Sequence, residues 1–158
     1  MKPVGTTDTM NKPISILLAD DDRDDCFFFK NALGKLPIPT NFHIVEDGER
    51  LMKYLSANVN NLPEVLFLDF NMPRKNGSEC LREIKSNPKL KSLPIIIYST
   101  SLHEAIADDL YEEGAHYFAR KSGLTELTNV LDRVLTMIKE NKFGRPPRSK
   151  FVLSLDAQ

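Results

Sequence analysis

The chain has 158 residues, and 21 Lys plus Arg set against 22 Asp plus Glu leave a formal net charge of -1. That length suits about one domain with a self-sufficient core, and the balanced charge excludes a global pull toward nucleic acid or an anionic membrane. The two cysteines, Cys26 and Cys80, form no Cys-x-x-Cys or Cys/His cluster and read as buried free thiols in a reducing cytosol.

No apolar run approaches the ~20 residues that span a bilayer. Residues 1–13 lack the apolar segment of a signal peptide and read as a flexible extension. The chain is therefore expected to be soluble and cytoplasmic. The first strand is Ile14 to Ala19, ending on Asp20-Asp21-Asp22. Arg23 to Leu36 then puts Phe29, Leu33 and Leu36 on one helical stripe. Asp22, Asp24 and Asp25 suit that helix's first turn through its dipole. In the run Phe27-Phe28-Phe29, core packing accounts for Phe29 and one neighbour, and an exposed remainder would mark a partner surface.

A second strand, Phe42 to Glu46, precedes a helix over Glu49 to Ala57 that repeats Leu51, Met52 and Leu55. The third strand, Glu64 to Leu68, delivers Asp69 into the turn Phe70-Asn71-Met72-Pro73-Arg74-Lys75-Asn76-Gly77, and a helix resumes over Ser78 to Lys85. Ile95 to Tyr98 runs into Ser99-Thr100. Glu104 to Glu113 forms a helix stopped by Gly114. His116 to Ala119 leads to Lys121, and the last helix repeats Leu124, Leu127, Leu131, Val134, Leu135 and Ile138 at three and four. Beyond residue 141 the tail is basic and helix-breaking, then apolar from Phe151 to Leu155. It is expected to be a mobile end, or else an arm packed on its own domain or on a second copy.

Five strands alternating with five helices make an α/β fold, an open, doubly wound parallel sheet with helices on both faces. Ligands bind such sheets beyond the carboxyl ends of the strands. That rule selects Asp20-Asp21, Asp69, Ser99-Thr100 and Lys121. Three carboxylates within ~4 Å of one another repel by ~4 kcal/mol per pair at an effective dielectric of 20. A divalent cation removes the conflict, and an all-oxygen, water-retaining shell suits Mg²⁺. Asp20 and Asp21 would hold the metal, with the backbone carbonyl of Asn71 completing the shell. Asp69 would give it one oxygen and attack phosphorus with the other. Lys121 and the Ser99 hydroxyl would meet the phosphate oxygens, the loop carrying Ser99 and Thr100 would move inward, and Phe118 would swing into the space left.

Across Ile14 to Asn141 the chain resembles the receiver domain of two-component response regulators. The resemblance lies in Asp20-Asp21, in Leu68 to Gly77 around Asp69, in Ser99 after Pro94 to Tyr98, and in Lys121 after Tyr117 to Arg120. It implies a flavodoxin-like (βα)5 fold with strand order 2-1-3-4-5 and Asp69 as phosphoacceptor. Asp20 and Asp21 become Mg²⁺ ligands, Ser99 the switch hydroxyl and Phe118 the switch aromatic. The implied partners are a sensor histidine kinase or histidine phosphotransfer protein and a downstream protein target, with homodimerisation through the fourth helix, fifth strand and fifth helix common in relatives. Lys121-Ser122 replaces the usual lysine-proline pair. With the long segment Lys35 to Asn41, it resembles small single-domain regulators paired with phytochrome-type sensors. Such a protein phosphorylates and slowly dephosphorylates its own aspartate and turns over no external product.

A rival reading takes Asp20-x-Asp22 as the nucleophile and acid of a haloacid-dehalogenase-like aspartyl phosphotransferase. Arg23-Asp24 is the wrong continuation for that class, no cap domain is evident, and Asp69 would have no purpose. A third reading, an interaction module that is never phosphorylated, is opposed by the intact acids, hydroxyl and lysine. His43, His103 and His116 are scattered and read as surface or packing residues.

Overall fold

Strand β1 (Ile14–Ala19) lies between β2 (Thr40–Val45) and β3 (Val65–Asp69), and β4 (Ile95–Ser99) and β5 (Tyr117–Arg120) follow. The computed structural model describes residues 12–101 and 103–153. All pairings are parallel, and the order is the expected 2-1-3-4-5, extended by a short sixth strand, β6 (Val152–Leu153), beside β5. Helices cover both faces, so β3 and β4 are buried at every position and contain almost nothing polar before their last residues.

The two faces form separate halves of the core. Helices α1 (Arg23–Gly34) and α5 (Leu124–Lys139) pack Phe29, Leu33, Leu131 and Leu135 against Ile16, Leu18, Phe67 and Tyr98. On the other face α2 (Gly48–Ala57), α3 (Gly77–Ser86) and α4 (Glu104–Glu112) set Leu51, Leu81 and Leu110 against Leu17, Leu66, Leu68 and Ile97. The alternation along each strand decides which side chain meets which face.

Two expectations need correction. Neither neighbour of Phe29 is buried: Phe27 and Phe28 are 62% and 49% exposed, because only the Phe29, Ala32 and Leu33 stripe of α1 faces the sheet. Cys26 is only half-buried, whereas Cys80 is buried, and both thiols are free. Burial pushes each up to about 12, which keeps them protonated.

The tail folds back on the sheet as far as residue 153; Ser154 and Leu155 of its apolar run, like residues 1–11, lie outside the described residues. Asn141 takes the left-handed conformation at φ 62° and ends α5. Phe143 then stacks on Tyr117 at 5.8 Å. The Arg145 guanidinium sits 3.7 Å from the centroid of the Tyr111 ring, and the Tyr111 hydroxyl donates to the Pro146 carbonyl at 2.7 Å. Arg148 pairs with Glu104 and Asp108 of α4, each at 2.8 Å. Phe151 is fully buried, with its ring edge-on to Tyr111, and its carbonyl accepts from the Phe118 N–H at 3.0 Å.

Candidate functional site

Parallel pairing places Ala19 opposite Leu68, so Asp20 and Asp69 leave neighbouring strands at the same end of the sheet. Carboxylate oxygens of Asp20, Asp21 and Asp69 lie within 4.8 Å of one another. Asp20 is fully buried and Asp69 is 5% exposed, while Asp21 is open to solvent. One oxygen of each buried acid is occupied by backbone: Asp20 Oδ1 accepts from the Asp22 N–H at 2.9 Å, and Asp69 Oδ1 accepts from the Asn71 N–H at 3.2 Å. Their Oδ2 atoms face Lys121 Nζ at 2.9 and 3.4 Å. That buried Asp20 oxygen has the ammonium beside it but in poor hydrogen-bond geometry.

Burial raises Asp20, and the backbone and lysine contacts only partly oppose it. Burial, and then the neighbouring Asp20 charge, push Asp69 up to about 6. Lys121 moves the other way from what burial alone would do: its hydrogen bond to Asp25 and its contact with Asp20 hold it above its usual value. One ammonium therefore leaves the acids under-neutralised. Hard oxygen donors, an orphaned buried carboxylate oxygen and unrelieved repulsion fit a hard divalent cation.

The raised Asp69 pKa makes a signed prediction for metal-free protein. The folded chain holds this proton more tightly than the unfolded chain, so stability falls as pH rises from 3.8 to about 6. Urea midpoints in chelator should therefore drop across that window in the parent relative to Asp69→Asn. Parallel profiles would contradict the shift.

Asp21 and Asp69 line a cleft of about 500 Å³ together with Asp25, Asn71, Thr100 and Lys121, and Asp20 lies buried beneath it. Ser99 closes β4 next to β3 and is 2% exposed, while Thr100 stands exposed at the rim. Phe118 is not at the cleft; its ring is buried among the residues under α3 and α4. Asp22 caps α1, its Oδ1 accepting from the N–H groups of Asp24 and Asp25. Asp25 was expected to be a helix-dipole charge and proves to be more: its Oδ2 accepts from Lys121 Nζ at 2.8 Å.

Two glycines fix the loop that carries Asp69. A Cβ on Gly77 would stand 2.5 Å from the Asp69 carbonyl oxygen, so only glycine lets α3 restart this close to the strand end. A Cβ on Gly48 would stand 2.1 Å from the Lys75 carbonyl oxygen and 2.6 Å from its Cβ. The start of α2 is thus seated on the Asp69 loop. Arg74, at φ 69°, reaches Asp47 and Glu49 at 3.7 and 3.6 Å from the same loop. Gly48→Ala should cost about 1–3 kcal/mol through overpacking, read as a lower urea midpoint. A change under about 0.5 kcal/mol would mean that the contact yields freely.

The model of the response regulator receiver domain matches residues 16–132, well over half of the sequence. The chain belongs to the response regulator receiver domain family. It is similar to response regulator Rcp1 of Synechocystis, 32% identical over 120 residues that cover 73% of this chain and 82% of that one. The crystal structure of the Mn²⁺-bound form of Rcp1 superposes with a TM-score of 0.72 at 30% identity, covering 85% of this receiver and all of that chain. The phosphorylated cyanobacterial phytochrome response regulator RcpA gives 0.73 at 30% identity, with 85% and 99% covered. In this receiver no helix among the described residues is long and apolar enough to cross a membrane.

Proposed function

We propose that this receiver is a phosphorylation switch. In this reading Asp69 takes a phosphoryl group from the phosphohistidine of a sensor histidine kinase or histidine phosphotransfer protein, in a Mg²⁺-dependent reaction. The observation that carries it is the convergence of Asp20, Asp21 and Asp69 oxygens within 4.8 Å of one another, with a buried Asp20 oxygen that has only the Lys121 ammonium beside it. Asp20, Asp21, one Asp69 oxygen and the Asn71 carbonyl would hold the metal. When bound, the ion supplies charge neutralisation for the phosphoryl oxygens.

The remaining work falls to the chain. An Asp69 oxygen attacks phosphorus, the donor's P–N bond breaks with its electron pair returning to the histidine ring, and an acyl phosphate results. Lys121 pairs with the new oxygens. Ser99 and Thr100, at the end of β4, move toward them, and Phe118 repacks in the layer beside α4. The output is a changed protein-binding surface around α4, β5 and α5. A homodimer through that surface would meet the packed tail as well. Phe27 and Phe28 on α1 are exposed apolar residues suited to a kinase docking face. That Rcp1 has been crystallised with Mn²⁺ and RcpA in phosphorylated form supports this reading by similarity.

The rival nucleophile has less in its favour. Asp20 is fully buried behind Lys121, and the Asp22 carboxylate is committed to capping α1. Acetyl phosphate given with Mg²⁺ should label the parent and leave Asp69→Asn unlabelled, read as a mass increase of one phosphoryl group. Label that survives in Asp69→Asn and is lost in Asp20→Asn would overturn the reading in favour of the rival.

A further inference from the structure

Lys121 is shared by three acids, and the one expected to react is the most distant. Its Nζ lies 2.8 Å from Asp25 Oδ2 and 2.9 Å from Asp20 Oδ2, against 3.4 Å from Asp69 Oδ2. With a side chain only 10% exposed, the lysine has little freedom to be elsewhere. Asp25 is itself anchored. Its N–H donates to the Asp22 carboxylate, so it sits in the rigid first turn of α1.

We infer that Asp25 is a positioning residue that draws Lys121 away from Asp69 and competes for it with any anionic group arriving there. The inference rests on the reading of Asp69 as phosphoacceptor. Before an anion arrives, the ammonium divides its donors among the carboxylates. A phosphoryl group adds charge at Asp69, and two anions then contend for one cation. With Mg²⁺ bound, Asp20 has the metal as its counter-charge, so the carboxylate still contending for the ammonium is Asp25. Its side chain is 28% exposed, so water can replace the lysine there. The Lys121–Asp25 pair is thus the contact that gives way, and its strength is subtracted from the affinity of the site for a phosphoryl-like anion.

The test uses beryllofluoride at saturating Mg²⁺ with the parent, Asp25→Asn, Asp25→Glu and Asp24→Asn. Bound fluoride is followed by fluorine NMR. Asp25→Asn should bind about fivefold more tightly, the scale of one partly exposed ion pair. Asp25→Glu restores a charge within reach of the lysine and should return to the parent value. Asp24→Asn removes a charge from the same turn that is not among the lysine's partners, and it should match the parent. Unchanged or weaker binding in Asp25→Asn overturns the inference. An equal gain in Asp24→Asn also overturns it, because the effect would then be one of overall charge. A parent with no Mg²⁺-dependent signal sinks the phosphoacceptor reading itself, and this inference with it.

Discussion

Phe151→Ala should lower the unfolding free energy by about 3–5 kcal/mol, the usual range for emptying a fully buried aromatic site. The size of the effect follows from where the ring sits. Phe151 is fully buried, meets Tyr111 edge-on at 5.4 Å, and belongs to the same core half as Phe118, Leu110 and Ile97. Its loss also loosens the backbone leading into β6, where the Phe151 carbonyl accepts from the Phe118 N–H. Urea unfolding followed by far-UV circular dichroism gives the number directly. A loss under about 1 kcal/mol would show that the tail is only loosely attached.

Lys121→Met should have two effects of opposite sign. Without metal, Asp20, Asp25 and Asp69 lose their shared cation. Removing one partner of a buried charge pair costs about 3–5 kcal/mol. With metal, the competing ammonium has gone from Asp20 and Asp69, and a divalent ion should bind about tenfold more tightly, the equivalent of ~1.4 kcal/mol. Melting curves across a magnesium titration read both at once: a lower starting midpoint and a saturation point at lower magnesium. A variant that is destabilised yet binds magnesium no better would show that the lysine and the ion do not contend for the same oxygens.

β1, β3 and β4 were legible because they are buried on both faces, and such segments are almost purely apolar. Some strand ends shifted by one or two residues. β2 begins at Thr40 rather than Phe42, and β5 ends at Arg120 rather than Ala119, since pairing with a neighbour, not hydropathy, sets a strand's limits. Asp20, Asp21, Asp69 and Lys121 could be placed together because the topology sends every strand end to one rim. Asp25 could not be assigned this way. A charge in the first turn of a helix already has a sufficient local explanation, and only the coordinates reveal that Lys121 reaches across to it. The tail escaped for a related reason: Arg145, Arg148 and Phe151 have no periodic pattern, and their partners on α4 and β5 are distant in sequence.

The folded-back tail also leaves the sheet with two unlike margins. On one side the outermost strand spans two of the described residues; on the other, β2 offers six residues, with Pro37 and Pro39 just ahead of it as breakers. Protein cut after residue 141 would bare the apolar stretch Tyr117-Phe118-Ala119 along an unpaired ladder. Such a fragment should clump during expression or storage, and any tail-less version made for binding work would bring that stickiness with it.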